Sequence, residues 1–216
     1  NQNESMEETP FVYDSLVKSR LQIPFIKSIH QTANKAGIIK TDSEIQGVVL
    51  KGVDKDYNWD YISSNIVTGS LPEYNDAERS NDVIISKIIS DKMHLGVGDD
   101  IRIWFVGEDM KARGRKFSVK GIYETGLVEC DERFVYCDLN QIRRLNGWEN
   151  DEVGHLEIML TEGVDIEEAN NIIYYSIPTN LLSLTASDLY PQIFDWLELQ
   201  DMNVVIIIAL MLMVSG

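Results

Sequence analysis

The sequence predicts an α+β chain: a mixed α/β body built from both chain ends, a β-rich segment inserted into it, a stalk helix, and the start of a transmembrane helix. Three observations carry this. Alternating apolar and polar runs crowd the middle of the chain, as half-buried strands require. Capped stretches with helical spacing lie among and after them. Finally, every residue from Val204 to Val214 is Val, Ile, Ala, Leu or Met.

In chain order, "FIKSIHQTANKAGII" and "EIQGVVLKGVD" read as two strands, with "DYNWDYISS" a short helix behind them. "NDVIISKIISDKMHLGVGDD" reads strand, helix, turn, with Ser86 as the N-cap and Gly96 and Gly98 ending the helix. "DDIRIWFV" sets Ile101, Ile103 and Phe105 against Arg102, Trp104 and Val106. "KFSVKGIYE" sets Phe117, Val119 and Tyr123 against Ser118, Lys120 and Ile122. The polar, glycine-bearing "GEDMKARGR" between them predicts a hairpin with a long tip. "RFVYCDL" gives another strand and "NQIRRLN" a short helix. "HLEIMLT" alternates as a strand, and "DIEEANNIIYYS" is a capped helix with acids in its first turn. These elements suggest a body from residues 1–78 plus 153–186, an insert over 79–152, a stalk helix over 187–202 and an apolar segment over 203–216.

The stalk is read from "SDLYPQIFDWLELQDMN": Asp188 or Ser187 caps it, Pro191 falls in its first turn, and Leu189, Ile193, Trp196 and Leu197 form an apolar stripe suited to mechanical coupling. The apolar run behind it has no polar face. Fourteen residues of helix cover about 21 Å, short of a bilayer core of about 30 Å, so it reads as the first part of a membrane helix. No Lys or Arg follows Arg144, which orients this flank away from the cytoplasm. The opening "NQNESMEETP" has no initiator Met and no signal-peptide pattern, so the sequence reads as a piece of a longer protein.

Composition removes several functions. A formal charge of −16 over 216 residues disfavours nucleic acid and anionic lipid as general partners. Cys130 and Cys137 are too few for a disulfide framework or a zinc site, though one bridge between them stays open. His30, His94 and His155 stand singly, no phosphate loop or nucleophile elbow is present, and the Glu129, Asp131, Glu132 cluster lacks calcium-loop spacing. The expectation is a non-catalytic domain with no cofactor and no metal. One local departure remains: Lys111, Arg113, Arg115, Lys116 and Lys120 place five of the nineteen basic residues within ten positions. They read either as a solubilised edge or as a partner-docking element.

Taken in order, "VLKGVD", "TGSLP", "NDVIISKIISDKMHLGVGDDIRIWF" and "RKFSVKGIYETGLVECDERFVYCDLNQIRRL" resemble the extracytoplasmic domain of FtsX-like ABC-transporter permeases. The resemblance is greatest to the lipoprotein-releasing type and more distant to the macrolide-exporter, MacB type. It runs from about Ile38 to the end. It implies a porter-like α/β part with a sabre-like β-rich insert, held between the first two of four membrane helices in the inner membrane. It also implies a second permease subunit and a separate cytoplasmic ATPase subunit. The lipoprotein-releasing type further implies a periplasmic lipoprotein carrier, docked by the tip of a hairpin. Val106–Phe117 occupies that place here, and Met110 and Arg113 match its contact positions, with Lys111, Arg115 and Lys116 beside them. The tip departs from the family's hook in lacking prolines and in being highly charged. Efflux and cell-division permeases share these motifs. An extracytoplasmic sensor domain and a membrane-anchored hydrolase are the rivals from other classes.

Overall fold

The structure, a computed structural model, describes residues 8–41, 44–106, 112–191 and 194. Its elements in order are β1 (Phe11–Val12), α1 (Ser15–Arg20), β2 (Ile26–Lys40), β3 (Ile45–Val53), α2 (Asp60–Ser63), β4 (Ile66–Gly69), β5 (Asp82–Ser86) and α3 (Lys87–Met93). There follow β6 (Asp100–Val106), β7 (Ala112–Tyr123), α4 (Val128–Asp131), β8 (Phe134–Asp138), α5 (Leu139–Asn146), β9 (Glu152–Val153), β10 (His155–Leu160), α6 (Ile166–Ser176) and α7 (Ala186–Leu189). The mixed α+β class is as the sequence predicts. Among the described residues no helix is long and apolar enough to cross a membrane. The run Val204–Val214 lies outside them.

The chain forms two compact units, Asn1–Asp14 with Ser28–Met159, and Ser15–Lys27 with Leu160–Gly216. The expected body (1–78 plus 153–186) and insert (79–152) are joined by hydrogen bonds within the first unit. β3, from the front of the chain, pairs in parallel with β8, and β2 pairs with β6. Hydrogen bonds therefore run straight across the boundary expected at residues 78 and 79.

In the first unit the pairings β2–β3, β3–β8, β8–β5, β5–β7, β7–β6 and β6–β2 close a ring of six strands. Strands β10 and β4 extend it from β2 and β7. A ring has no free edge along its circuit, which removes the hazard of unpaired backbone. Its core holds Ala33, Ile39, Leu50, Val83, Ile85, Ile101, Ile103, Phe105, Phe117, Val119 and Val135, together with Ile89 and Met93 of α3 and Leu139 and Ile142 of α5. Gly37 is required here: a Cβ would stand 2.7 Å from Ile103 Cγ2 and 2.9 Å from Phe105 Cε1.

Local details depart from the expected pattern at three places. In β7, Val83 faces Val119 but Ile84 faces Gly121, so Lys120 is an extra, bulged residue. The bulge reverses the alternation. Ile122 joins Phe117 and Val119 in the main core, and Tyr123 turns to a second cluster with Ile62 and Ile84. In α3, Ser86 is indeed the N-cap, accepting from the Ile89 N–H at 3.1 Å, and its own hydroxyl donates to the Asp131 carbonyl. The helix ends at His94, not at a glycine: His94 takes the left-handed conformation with φ of 55°. Asp131 belongs to structure. Its buried carboxylate accepts from the Thr125 N–H at 3.0 Å, the Thr125 hydroxyl at 2.7 Å and the Gly126 N–H at 3.2 Å.

In the second unit, Val17, Leu21, Ala169 and Ile173 are buried. Asp165 caps α6 through the Glu168 N–H at 2.9 Å, with Glu167 and Glu168 in the first turn as expected. The cap of α7 is Thr185, one turn ahead of the expected Asp188. Thr185 and Asp188 form a reciprocal capping box, so Asp188 serves as the third helical residue. This helix stops at Leu189, and Tyr190 has φ −130° and ψ 55°. Pro191 explains the stop, because its ring disfavours helical geometry in the residue before it. Most of the stalk expected over 187–202 lies outside the described residues; within them α7 ends at Leu189, and Pro191 and Phe194 are again helical.

Candidate partner-binding surface

The basic hairpin is the strongest candidate that sequence reading supplied. Strands β6 and β7 pair in antiparallel register from Asp100↔Ser118 to Val106↔Ala112. The expected long tip is shorter, because Arg113, Arg115 and Lys116 already lie within β7. Register also divides them. Arg113 stands opposite Phe105 and Arg115 opposite Ile103, whereas Lys116 stands opposite Arg102. Since side chains alternate across a strand, Arg113 and Arg115 share the face of the buried Phe105 and Ile103. Lys116 shares the outer face with Arg102 and Trp104.

Their surroundings differ accordingly. Lys116 Nζ lies 2.7 Å from Asp100 Oδ2 in an exposed pair, and Lys120 Nζ lies 3.9 Å from Asp82. The Arg115 Nε is buried. Arg102 lies over the Trp104 ring at 5.9 Å, and Trp104 in turn lies against Gly114. Met110 and Lys111 lie outside the described residues. Of the coupling stripe, Leu189 is 56% exposed at the end of α7. Ile193, Trp196 and Leu197 lie outside the described residues.

A second constellation was not found from sequence. Lys51 on β3 and Tyr136 on β8 are register partners. Lys51 Nζ stands 5.5 Å from the ring centroids of both Tyr57 and Tyr136. It also stands 2.6 Å from Glu157 Oε1 on β10. Tyr57 donates to Glu157 Oε2 at 3.3 Å, and Trp59 packs edge-on against Tyr57 at 5.0 Å. His155 completes the group, with Nδ1 3.2 Å from Glu8 Oε1 and Nε2 3.7 Å from Glu157 Oε1. Burial alone would lower the His155 pKa, but the neighbouring Glu157 and Glu8 carboxylates outweigh that and raise it to about 9. Burial likewise would raise Glu157, yet His155 and Lys51 hold it down to about 2. His155 and Glu157 are therefore both charged throughout the neutral range. It joins strands far apart in sequence, so only the parallel β3–β8 pairing reveals it.

The remaining histidines hold no metal-like set, and no group of three or more ligating side chains occurs among the described residues. Ser28 Oγ lies 2.9 Å from His30 Nε2, and His30 Nδ1 lies 3.7 Å from Asp54 Oδ1. That last separation is too long for a hydrogen bond. Asp54 instead accepts from the Gln31 N–H at 2.6 Å through its other oxygen. Cys130 and Cys137 are both free thiols, so the bridge left open by the sequence is absent.

Comparison with known proteins places the fold. The model of the MacB-like periplasmic core domain matches residues 2–173. The fold is similar to the extracellular domain of the noncanonic ABC-type transporter YknZ from Gram-positive bacteria, with a TM-score of 0.55 and 16% identity over 79% of this chain and 84% of that one. It is also similar to the periplasmic region of MacB from Actinobacillus actinomycetemcomitans, with a TM-score of 0.50 and 12% identity over 74% of this chain and 70% of that one. No curated protein matches the sequence. The chain belongs to the MacB-like periplasmic core domain family and is the extracytoplasmic domain of a MacB/FtsX-like ABC-transporter permease.

Proposed function

We propose that this domain serves lipoprotein release from the inner membrane, passing movement driven by cytoplasmic ATP hydrolysis to a periplasmic lipoprotein carrier. The domain itself is non-catalytic, needs no cofactor, and works beside a second permease subunit. ATP hydrolysis belongs to a separate subunit. Carrier docking falls to the hairpin, through Met110, Lys111, Arg113, Arg115 and Lys116. Coupling falls to Leu189, Ile193, Trp196 and Leu197 on the way to the membrane.

The single observation that supports docking most strongly is the basic hairpin on an otherwise acidic chain, five of nineteen basic residues in ten positions. Such a patch steers a partner of opposite charge. The test is binding of the soluble carrier to the chain and to an Arg113→Glu/Arg115→Glu variant. Micromolar binding that the variant loses supports the reading; equal binding by both rejects the docking site. A second reading, a MacB-type exporter engaging an adaptor, draws support from the family description itself. Binding of a membrane-fusion adaptor instead of the carrier would favour it.

A further inference from the structure

The outer face of the strand ring carries a surface that the hairpin reading uses only at Lys116. Two rows cross four strands, β3, β2, β6 and β7. In the first row Gly47 pairs with Ile38, Ile38 with Trp104, and Trp104 with Gly114. In the second, Ile45 pairs with Lys40, and Arg102 pairs with Lys116. Because Ile38 meets Trp104 and Ile39 meets Ile103, the next step of that register brings Lys40 beside Arg102. Each row spans about 14 Å at the usual strand spacing, and the rows lie about 7 Å apart.

The alternation confirms which way these residues face. Ile39, Ile103 and Phe117 are buried, while Ile38 is 43% and Ile45 63% exposed. Lys40, Arg102 and Lys116 are exposed, and Trp104 is half-buried. A Cβ added at Gly47 would meet nothing within 4 Å, so the flank of Ile38 is open. The Trp104 ring lies against Gly114, which lowers it onto the sheet instead of leaving it upright. The result is an apolar strip bordered on one side by three cations from three separate strands, of which Lys116 is already paired with Asp100.

We infer that this face docks an amphipathic helix of an extracytoplasmic protein, its apolar stripe on Ile38 and Trp104 and its carboxylates along Lys40, Arg102 and Lys116. Charge complementarity selects that occupant. The chain carries −16 overall, so Lys40 and Arg102, beside the Lys116–Asp100 pair, form a local reversal with a net excess of positive charge that attracts acids and repels bases. The apolar row then supplies the buried anchor that surface charge alone does not. This inference shares Lys116 with the hairpin docking of a carrier and is told apart from it by Arg113 and Arg115, which face the other way.

The test uses the full chain and a synthetic helix with a leucine stripe bordered by glutamates. Comparison probes are the same helix with lysines for glutamates, the same helix with serines for leucines, and phosphatidylglycerol vesicles. The glutamate helix alone binds, more weakly as salt rises. A Lys40→Glu/Arg102→Glu variant weakens it by about tenfold or more, and Trp104→Ser by a similar factor. Circular dichroism checks that each variant folds, and Arg113→Glu/Arg115→Glu binds like the wild type. Loss in that last variant would move the site to the tip and overturn the inference. So would equal binding of the lysine helix, undiminished binding by Lys40→Glu/Arg102→Glu, or no helix binding. Vesicle binding without helix binding would assign the face to lipid, and self-association lost in the charge variant would assign it to a second copy. Either result also overturns it.

Discussion

Replacing Glu157 by Gln removes the anion that Lys51 and His155 share, and the resulting loss of stability depends on pH in a defined way. Glu157 Oε1 is 2.6 Å from Lys51 Nζ and 3.7 Å from His155 Nε2. A carboxyl held from 4.5 in the unfolded chain to about 2 in the folded one contributes at most about 3.4 kcal/mol. The side chain is 29% exposed, and screening by water reduces this to about 1–2 kcal/mol. The folded pKa is depressed, so this stability is fully present above about 4.5 and is lost as pH falls through about 2. Wild type and Glu157→Gln are compared by urea unfolding followed by tryptophan fluorescence. The wild type is more stable by about 1–2 kcal/mol at pH 6, and about half or less of that gap remains at pH 3. His155 acts in the opposite sense: its raised pKa gives stability that is full below about 6.5 and fades as pH climbs through about 9, so the gap narrows there too. A gap that stays constant between pH 6 and pH 3, or no gap at pH 6, would refute the network.

Other perturbations follow from the same geometry. Gly37→Val drives side-chain atoms into Ile103 and Phe105 and destabilises by about 1–3 kcal/mol in thermal unfolding. Pairing Gly37→Ala with Ile103→Ala, which frees that space, gives less than the sum of the two single losses. Thr185→Ala removes a capping box and destabilises α7 by about 1 kcal/mol, seen as faster amide exchange in residues 186–189. With a disulfide-exchange reagent, Cys130 reacts slowly in the folded chain, because burial and the neighbouring acids Asp131 and Glu129 raise its pKa. Cys137 has no exposed surface, and its thiol is pushed up by burial beside Asp138, so it reacts only on unfolding.

Much of the fold was legible because its local signals are strong. The alternation of Ile101, Ile103 and Phe105 marks a strand with one buried face, and the structure buries all three. Ser86 and Asp165 announce their helices by position and hydrogen-bonding chemistry alone. What escaped reading is long-range. Nothing local says that β3 pairs in parallel with β8, Val49 with Phe134, across the boundary expected at residues 78 and 79. The bulge at Lys120 likewise depends on the partner strand β5. The basic cluster reads as one patch in sequence because proximity along a strand hides its two faces. Register then assigns Arg113 and Arg115 to one side and Lys116 to the other. In turn, Lys40 was invisible as a neighbour of Arg102, since only the β2–β6 register, carried one step past Ile39 and Ile103, brings them together.

The central claim is that this domain carries the force of ATP hydrolysis to a partner outside the membrane. The direct test reconstitutes the full-length permease with its ATPase subunit in lipid vesicles containing a lipid-modified protein, and measures transfer to the soluble carrier. The account predicts ATP-dependent transfer that Arg113→Glu/Arg115→Glu abolishes while ATP hydrolysis continues. Transfer that persists undiminished in that variant, or no ATP-dependent transfer by the wild type, would contradict it.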